Sequence, residues 1–431
     1  MDDFLKFIKK FIPRRLFNAL NPLYHYSLAF LGALIYRFPS KKLTVIAVTG
    51  TKGKTSTTEI VNAIFEAAGH KTVLLNTIRW KINETSIPNS RKMTIPGRFF
   101  IQSMLRKGLS AGCDIAILEL SSEAAKQYRH KYVYLDALIF TNLTPEHIES
   151  HGSFENYRKA KLALTETLCT RVKDRSIIVA NADDPESIHF LACDALEKRP
   201  YTLSDGEPHV VKPDGIQFTW KNTEINSPLR GIFNMYNCIA GATCADAFGI
   251  TPLAIKEGLE KLSLIKGRVE FVKLTKEHPL FAKQTFDVVV DYAHTSGSLT
   301  ELYKTFSTQR IIAVLGNTGG GRDKWKRPEM ARVADTFASE IILTNEDPYD
   351  EDPDAIINEM VDGIKIHTPT VIMDRRAAIH EAISRANAGD AVLITGKGTD
   401  PYIMITNNRK IPWSDYQVAY EELEKVLSVR L

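Results

Sequence analysis

The 431-residue chain has few cysteines, little net charge and no long hydrophobic run, and each of these shortages excludes a class of protein. The five cysteines form no C-x-x-C pair, which fits a reducing compartment and gives no zinc-binding pattern. A net charge of +4 is too small to indicate a nucleic-acid-binding protein. With 44% hydrophobic and 25% charged residues, the composition is that of a globular protein long enough for two or three domains.

Residues 1–42 have the most unusual composition. Five basic residues precede a semi-apolar run, 24–38, which is too short to cross a bilayer comfortably and is not followed by a signal-peptide cleavage site. Two interpretations stay open: one or two helices packed on the next domain, or a basic amphipathic anchor, residues 1–38, in peripheral contact with a membrane. We expect a cytoplasmic protein, either free or membrane-associated, that is a monomer or a weak oligomer.

The most informative segment is a glycine-rich turn between an apolar run, Leu43–Thr49, and a helix-like segment, Thr57–Ala68. A buried strand that leads through such a turn into a helix is typical of phosphate binding, because main-chain N–H groups and the helix dipole point at the anion. Lys54 adds a positive charge, and the Thr55 hydroxyl can contact Mg²⁺. The spacing G-x-x-G-K-T is shorter than the strict P-loop, which would need glycine at Val48.

Apolar, strand-like runs alternate with helical patterns along the rest of the chain, which predicts an α/β fold with mostly parallel, buried strands. The predicted strands are Leu43–Thr49, Thr72–Leu75, Asp114–Leu120, Ala137–Thr141, Ser176–Ala180, Asp287–Asp291, Ile311–Leu315, Glu340–Leu343 and Ala391–Thr395. The predicted helices include Phe99–Leu109, Tyr157–Val172, Pro328–Phe337 and Arg375–Ala386. We place a short helical arm at 1–42, a P-loop-type central ATPase domain at 43–266 and a dinucleotide-fold-like α/β domain at 267–431. A small β excursion is expected within 200–230.

Polar side chains follow several predicted strands. Glu119 ends a buried strand, where a carboxylate opposite a phosphate loop can hold Mg²⁺. His147 and His151 lie in a proline-containing loop, and a role beside a second Mg²⁺ suits them better than zinc, because no third soft ligand is evident. Asn234 and Asn237 begin a helix, where asparagine can contact an adenine or a metal-bound water, or simply cap the helix.

Three further loops follow strands of the second α/β region, at 291–298, 316–328 and 395–400. The second is basic and glycine-rich, and its Arg322 can bind a carboxylate through two hydrogen bonds. Because all three come after strands, we expect them to line one cleft.

Together these motifs resemble the Mur ligases, and most of all the MurE type, which adds the third amino acid of the peptidoglycan precursor. The matching segments are TGTKGKTS, LELSSEAAKQYR, FTNLTPEHIESHG, GIFNMYN, GRVE, DYAHTSGSL, GNTGGGRDKWKRPEM and TGKGTD, spread over roughly residues 43–430. The resemblance implies an enzyme that uses ATP to convert a carboxylate of the cell-wall precursor to an acyl phosphate. The amine of an amino acid then attacks this acyl phosphate.

The resemblance also implies residue roles. The catalytic residues would be Lys54, Glu119, His147 and Lys161. Thr55 and Glu119 would hold one Mg²⁺, and His147 would hold a second. Lys161 takes the place of the family's carbamylated lysine. The ATP-binding residues would be Gly50, Thr51, Lys52, Gly53, Lys54, Thr55, Ser56, Asn234, Asn237, Arg268 and Asp291. The precursor would be bound by Thr94, Ser121, Ser122, Gln127 and Arg129. The incoming amino acid would be bound by Arg322, Asp347, Tyr349, Gly396 and Asp400.

The chain departs from the family pattern at the expected amino-acid site. Members that add diaminopimelate have D-N-P-R where this chain has Glu346-Asp347-Pro348-Tyr349, and tyrosine cannot replace the two-pronged contact of arginine with a carboxylate. Asp400 replaces the family's glutamate in G-K-G-H-E and keeps a negative charge for a distal ammonium group. A diamino acid therefore stays plausible, and meso-diaminopimelate is in doubt.

Three departures concern the binding of the precursor: two single residues and one domain. Glu123 stands where the family has histidine, and Ile95 where it has a second threonine. The family's N-terminal domain that binds the uridine nucleotide has no counterpart in residues 1–42. The alternatives are therefore the same chemistry on a lipid-linked, pseudomurein-like or cyanophycin-like substrate, or a non-catalytic nucleotide-binding partner protein.

Overall fold

The computed structural model describes residues 14–91, 93–146, 148–170 and 172–430. His147, expected to hold a second Mg²⁺, and residues 1–13 of the expected arm lie outside these ranges. The chain divides into two compact units. The first consists of Met1–Thr144, Glu155–Asp205 and Asn237–Gly258. The second consists of Pro145–Phe154, Gly206–Tyr236 and Leu259–Leu431.

The first unit is built on an eight-stranded sheet. Its strands are β1 (Thr44–Thr49), β2 (Thr72–Leu75), β3 (Arg79–Ile82), β4 (Thr85–Pro88), β5 (Ile115–Glu119), β6 (Ala137–Phe140), β7 (Ile177–Asn181) and β8 (Glu197–Tyr201). The order is β4-β3-β2-β5-β1-β6-β7-β8, with β3 and β4 antiparallel at one edge and the other strands parallel. Strands β2, β5, β6 and β7 are buried along their whole length, which explains their continuous apolar sequence. Residue Glu119 pairs in register with Val48, so its carboxylate lies beside the end of β1.

The helices of the first unit are Arg14–Ile35, Lys54–Ala67, Arg98–Ser110, Ser122–Lys126 and Ser187–Leu191. Three more helices have residues in both units: Phe154–Leu168, Ile232–Ala247 and Pro252–Lys261. Helix Arg14–Ile35 packs on helix Arg98–Ser110, and its Gly32 lies against the main chain of Arg98 and Phe99. No helix in the described ranges is both long enough and apolar enough to cross a membrane.

The second unit contains a six-stranded sheet, a three-stranded sheet and a hairpin. Its strands are β9 (His209–Lys212), β10 (Gly215–Trp220), β11 (Thr223–Ser227), β12 (Glu270–Phe271), β13 (Asp287–Asp291), β14 (Ile311–Leu315), β15 (Glu340–Leu343), β16 (Thr370–Val371), β17 (Ala391–Thr395), β18 (Tyr402–Ile405) and β19 (Arg409–Pro412). The large sheet has the order β12-β13-β17-β14-β15-β16, and only β12 is antiparallel to its neighbour. Strands β9 to β11 form the small antiparallel sheet.

Helices cover both faces of the large sheet. Those lying wholly in the second unit are Ile148–His151, Ser296–Thr305, Lys326–Phe337, Pro353–Val361, Arg375–Arg385 and Asp415–Val429. Alternate strand residues belong to separate cores: Val289 and Leu393 contribute to one, and Val288 and Val392 to the other. Two apolar layers around a parallel sheet are the arrangement that the continuous apolar strands predict.

The α/β prediction with a mostly parallel central sheet is confirmed, and every predicted strand lies within two residues of an observed one. The predicted bounds of two helices were wrong by three residues or more at one end or both. The helix expected from Thr57 begins at Lys54, because the loop turns directly into the helix after Gly53. The helix expected over Tyr157–Val172 is Phe154–Leu168. The division at 1–42, 43–266 and 267–431 stays a prediction.

Candidate active site

The glycine-rich loop between β1 and the helix Lys54–Ala67 is shaped by two glycines. Gly53 has a φ of +80°, in the left-handed region that favours glycine, and precedes the helix. A Cβ on Gly50 would lie 1.9 Å from Thr141 Oγ1, and one on Gly53 would lie 2.5 Å from Asn237 Oδ1. Glycine therefore lets neighbouring side chains approach the main chain of the loop, as phosphate-binding loops require.

Residues that follow β6 hold the loop from its other side. Asn142 Oδ1 accepts a hydrogen bond of 2.9 Å from Lys52 N, and the Asn142 carbonyl accepts one of 2.8 Å from Thr51 N. Thr141 Oγ1 donates to the Lys52 carbonyl at 2.6 Å. Sequence reasoning missed both supporting residues, although their position after a strand, in the motif FTNLTPE, was a usable signal.

Two lysines donate to main-chain carbonyls of the loop. Lys54 Nζ lies 2.9 Å from the Thr51 carbonyl oxygen and forms no ion pair with any described residue. Lys161 is 1% exposed, and its Nζ lies 2.5 Å from the Gly50 carbonyl oxygen and 4.8 Å from the ring centre of Tyr157. A phosphate is a stronger partner for an ammonium group than a carbonyl, so the loop is ready to exchange these bonds for an anion.

Thr55 and Glu119 bring a hydroxyl and a carboxylate together beside the loop. Thr55 Oγ1 donates to Glu119 Oε2 at 3.0 Å, and both side chains are buried. Thr77 fixes the carboxylate through its N–H at 2.9 Å and its hydroxyl at 3.0 Å. A carboxylate and a hydroxyl that meet beside a phosphate loop are the hard oxygen donors that Mg²⁺ prefers, so these residues fit that ion. Sequence reasoning missed Thr77, which lies in the short turn between β2 and β3.

The residues expected to bind the precursor lie near one another in the first unit. Thr94 Oγ1 is 3.1 Å from Thr77 Oγ1, which connects it to Glu119. Gln127 Oε1 accepts a bond of 2.7 Å from Arg129, which also donates to the Ile95 carbonyl. Ser121 caps the following short helix by accepting a bond from Ala124 N at 3.2 Å, and Ser122 begins that helix and is buried. For Ser121 the structure therefore shows a local, helix-capping contact.

The two asparagines that open the helix Ile232–Ala247 behave differently. Asn237 reaches the loop, where its Oδ1 accepts a bond of 3.2 Å from Thr57 Oγ1. Asn234 donates to the Arg230 carbonyl at 2.8 Å, which is a structural contact within the second unit. Asn237 therefore lies beside the phosphate loop, where a Cβ on Gly53 would be 2.5 Å from its Oδ1, and the contact of Asn234 with ATP stays a prediction.

Arg268 lies just before β12 in the second unit, and Asp291 is the last residue of β13. The carboxylate of Asp291 accepts bonds from Val269 N at 2.7 Å and from Ala293 N at 2.6 Å. Burial raises the pKa of Asp291, and the Arg268 charge opposes this rise. The guanidinium of Arg268 lies 4.4 Å from the ring centre of Tyr292.

A charged cluster forms where β15 and β17 end. Asp347 Oδ1 accepts bonds from Lys397 Nζ at 3.0 Å and from Met404 N at 2.7 Å. Lys397 is 0% exposed, and its Nζ lies 3.8 Å from Asp400 Oδ2. This contact joins two of the residues expected to bind the amino acid through a lysine that sequence reasoning had not selected.

Glu346 is a further acid of this cluster. Its Oε1 accepts a bond of 2.6 Å from Thr318, whereas its buried Oε2 has no hydrogen-bond partner among the described residues. A Cβ on Gly396, whose φ is +106°, would lie 2.2 Å from that Oε2. Glycine at 396 therefore makes room for the carboxylate, whose free oxygen can accept a bond from a ligand.

Arg322 and Tyr349 complete the cluster. The Arg322 side chain reaches solvent but has protein on most sides. The loss of water around the guanidinium lowers the pKa of Arg322, whereas the nearby tyrosines and carboxylates raise it by more, so the pKa is raised overall. Tyr349 has a φ of +53° and lies against Gly320, where a Cβ would be 2.9 Å from the ring. That the loops 291–298, 316–328 and 395–400 line one cleft stays a prediction.

The fold and the two groups of residues fit an ATP-dependent ligase that joins a carboxylate to an amine. Two family models match the chain: the Mur ligase middle domain over residues 48–245, and the Mur ligase glutamate ligase domain over residues 267–398.

Curated relatives resemble most of the chain. UDP-N-acetylmuramoyl-L-alanyl-D-glutamate–2,6-diaminopimelate ligase of Bacillus licheniformis is 36% identical over 406 residues, covering 91% of this chain and 81% of the relative. UDP-N-acetylmuramyl-tripeptide synthetase of Roseiflexus sp. is 34% identical over 428 residues, covering 93% and 82%. The chain therefore belongs to the Mur ligase family. It is an ATP-dependent, ADP-forming ligase that adds an amino acid to a muramyl-peptide-like cell-wall precursor.

Solved structures share the fold. A solved UDP-N-acetylmuramoyl-L-alanyl-D-glutamate–2,6-diaminopimelate ligase gives a TM-score of 0.59 at 28% identity, covering 89% of this chain and 78% of that one. Folylpolyglutamate synthase of Mycobacterium tuberculosis gives 0.68 at 13% identity, covering 94% and 95%. Pseudomurein peptide ligase type C of Methanothermus fervidus gives 0.60 at 18% identity, covering 89% and 79%. Identities this low show the fold alone, and the alternative substrates and the non-catalytic role are not favoured.

Proposed function

We propose that this ligase joins an amino acid with one carboxylate and a cationic side chain to a UDP-muramyl-dipeptide-like precursor, with the residues of the loop and the charged cluster in the roles given below. The observation that carries the nucleotide part is the 3.0 Å contact between Thr55 and Glu119 beside a loop that bears Lys54. That contact supports the proposal, because two hard oxygen donors beside the loop would hold the Mg²⁺ that neutralises the phosphates of ATP.

The residues of the loop would act in the first chemical step. Thr55 and Glu119 would hold Mg²⁺, which supplies positive charge against the triphosphate. Lys54 would leave the Thr51 carbonyl and contact the transferred phosphoryl group, so that an anionic carboxylate can approach the phosphorus. One carboxylate oxygen bonds to that phosphorus while the bond to ADP breaks.

In the second step the amine nitrogen bonds to the acyl carbon. The phosphate leaves with the former carboxylate oxygen, and the proton of the amine passes to solvent. Arg322 would orient the amino acid through its carboxylate, because a guanidinium can donate two parallel hydrogen bonds.

We also propose that Lys161 is carbamylated and that two Mg²⁺ ions take part. A fully buried ammonium group is costly to desolvate, and Lys161 is 1% exposed. Reaction of its neutral amine with CO₂ forms a carbamate and releases a proton, which changes the side chain into an oxygen ligand for a second ion. Isotope-labelled bicarbonate should give a carbamate NMR signal in wild-type protein that Lys161→Ala lacks; its absence from wild-type protein would contradict this proposal.

The choice of amino acid rests on the charged cluster. Asp347 and Asp400 share Lys397, whereas Glu346 Oε2 has no hydrogen-bond partner within the described ranges. That oxygen can accept a bond from a distal ammonium group. Tyr349 offers no cation for a second carboxylate, so lysine or ornithine suits the cluster better than 2,6-diaminopimelate.

Phosphate release with a panel of amino acids tests this proposal. The assay contains UDP-N-acetylmuramoyl-L-alanyl-D-glutamate, ATP, Mg²⁺ and one of L-lysine, L-ornithine, meso-2,6-diaminopimelate or L-alanine. We expect the highest kcat/KM with lysine or ornithine. A preference for alanine or for diaminopimelate would refute the assignment of the cationic side chain, and no release with any amino acid would refute the choice of precursor.

The helix Arg14–Ile35 supports peripheral membrane contact. Its exposed face carries Leu23 and Ile35, which are 63% and 57% exposed, together with Leu31 and Leu34. Residues 4–42 contain eight lysines and arginines and no acidic residue. An apolar stripe within such a basic segment is typical of helices that lie on anionic bilayers.

Sedimentation with lipid vesicles tests this contact. We expect binding to vesicles that contain phosphatidylglycerol and not to pure phosphatidylcholine, and loss of binding in the double variant L31D/L34D. Equal recovery of wild-type protein with and without anionic vesicles would contradict the proposal. The cytoplasmic location and the oligomeric state stay predictions.

A further inference from the structure

Arg98 lies among the residues expected to bind the precursor, although no motif pointed to it. It is the first residue of the helix Arg98–Ser110, and its guanidinium donates to the carbonyl of Gln127. Arg129 donates to the side-chain oxygen of the same Gln127 at 2.7 Å. Two guanidinium groups therefore meet at one glutamine, from its main chain and from its side chain.

The local backbone supports this meeting. Tyr128, between Gln127 and Arg129, has a φ of +54°, which is uncommon for a residue other than glycine. Arg129 also donates to the Ile95 carbonyl, three residues before Arg98. The arrangement is thus held by main-chain contacts on both sides, and not by flexible surface side chains.

The charge of nearby Glu123 acts on this pair, because it opposes the burial that lowers the pKa of Arg129. No carboxylate forms an ion pair with Arg98 or Arg129 among the residues that the structure describes, and the Nε atoms of both are buried without a hydrogen-bond partner there. Burial, and then the charge of Arg129, lowers the pKa of Arg98 to about 10. The first turn of the helix that begins at Arg98 also lacks an acidic residue. Partly buried guanidinium groups of this kind gain most from an anionic ligand.

The helix Arg14–Ile35 contributes one contact to this group. The guanidinium of Arg98 donates a hydrogen bond to Nδ1 of His25, because a guanidinium can only donate. The bond holds the guanidinium in place without using up its charge. Beside it, Gln127 and Arg129 are two of the residues assigned to the precursor.

We propose that Arg98 is a further precursor-binding residue that, together with Arg129, binds a carboxylate or phosphate group of the precursor. This inference rests on the proposed function, because it takes the muramyl peptide as the ligand. The anion has two sources: the peptide carboxylate that does not react, and a phosphate attached to the sugar.

Four precursors distinguish these sources. They are the muramyl dipeptide linked to UDP, the same dipeptide with a single sugar phosphate, the dipeptide without phosphate, and the UDP-linked dipeptide whose non-reacting carboxylate is amidated. We expect Arg98→Gln to raise KM about 10- to 100-fold, with kcat nearly unchanged, for every precursor that carries the bound anion. For the precursor that lacks that anion, the wild-type and variant values should nearly coincide.

Lys107→Gln is the matched control, because Lys107 is exposed on the same helix and its substitution removes one positive charge, as Arg98→Gln does. Arg98→Lys should recover part of the lost affinity, which a purely packing role would not predict. An equal rise of KM for all four precursors, or no rise for any, would overturn the inference. If the wild-type protein turns over none of them, the proposed function fails. Calorimetric titration of the UDP-linked dipeptide into wild-type protein and Arg98→Gln then tests the anion contact, and equal affinities would overturn it.

Discussion

The phosphate loop of the first unit and the charged cluster of the second unit accommodate cations in different ways. In the loop, Lys54 and Lys161 donate to main-chain carbonyls. In the cluster, Lys397 is fully buried and pairs with Asp347 at 3.0 Å. A carbonyl leaves most of a cation's charge available to a ligand, whereas a carboxylate neutralises it. This difference supports the proposal that the loop receives an anion and that the cluster, with more carboxylates than ammonium groups, selects among amino acids.

The largest effect is expected where the cluster's internal pairing is broken. Asp347→Asn leaves the ammonium of Lys397 buried without its main partner, and we expect the free energy of unfolding to fall by about 3–5 kcal/mol. Denaturant unfolding measures this change. Asp354→Asn, at an exposed position of the same unit, is the control and should change little. Unaltered unfolding of Asp347→Asn would show that the pair is not what holds the cluster together.

Lys54→Ala tests the other half of the comparison. Its removal should lower kcat/KM about 10²- to 10³-fold, because one preorganised positive group is lost from the transferred phosphoryl group. Unfolding should stay close to wild type, since Lys54 forms no ion pair with a described residue. Steady-state phosphate release measures the loss, and Lys71→Ala, at an exposed position of the same unit, is the control. Activity within a few-fold of wild type would contradict the role of Lys54.

Lys161→Ala sharpens the comparison within the loop. We expect about a 10²-fold loss of kcat, since a group at the metal and phosphate site is removed. If the active form is the carbamate, short carboxylic acids should restore part of the activity, because they supply the missing oxygens. Lys159→Ala, exposed on the same helix, should keep full activity and show no response to added acids. A complete absence of rescue would favour the ammonium form.

The comparison also explains what could be predicted from the sequence. The strands β1 and β5 and the residues Thr55 and Glu119 could be found, because buried parallel strands read as apolar runs and ligand residues follow them. Thr77 could not be singled out, because its contact with Glu119 depends on which strands are neighbours. Asn142, which contacts Lys52, was missed although its position after a strand was a usable signal.

In the second unit the sequence predicted which residues belong to the charged cluster, but it did not predict which residues pair with them. Asp347 and Asp400 were expected to contact a ligand, but both lie close to Lys397. Charge pairing depends on side-chain positions within a few ångströms, and a single sequence carries no such distances. Arg98 was missed for the same reason, since its partner Gln127 is 29 positions further along the chain.

His130 extends the comparison to pH, because it is a buried ionisable group of the first unit. Burial, and then the charge of Lys131, lowers its pKa to about 4 from the ordinary 6.5. Between these values the unfolded chain binds more protons, so His130 contributes stability that is lost as the pH falls from about 6.5 towards 4. The loss should reach about 2 kcal/mol at about pH 5.

Unfolding of His130→Leu as a function of pH measures this effect. The variant should lose the part of the acid dependence that belongs to His130, so that its stability curve is flatter than that of wild type below about pH 6.5. His189→Leu, at a more exposed position of the same unit, should keep the wild-type slope. Parallel curves for wild type and His130→Leu would show that His130 is not buried in its neutral form.

The smallest effect, and the one that decides what the charged cluster selects, is expected at Tyr349. Tyr349→Arg adds a cation beside Arg322 without a new backbone requirement, since both tyrosine and arginine would occupy the same φ of +53°. The added guanidinium can bind a second carboxylate, so the ratio of kcat/KM for meso-2,6-diaminopimelate to that for L-lysine should rise about tenfold. Tyr349→Phe removes the hydroxyl without adding charge and should leave this ratio unchanged. A ratio that moves equally in both variants would mean that the shape of the ring, and not the missing charge, sets the choice of amino acid.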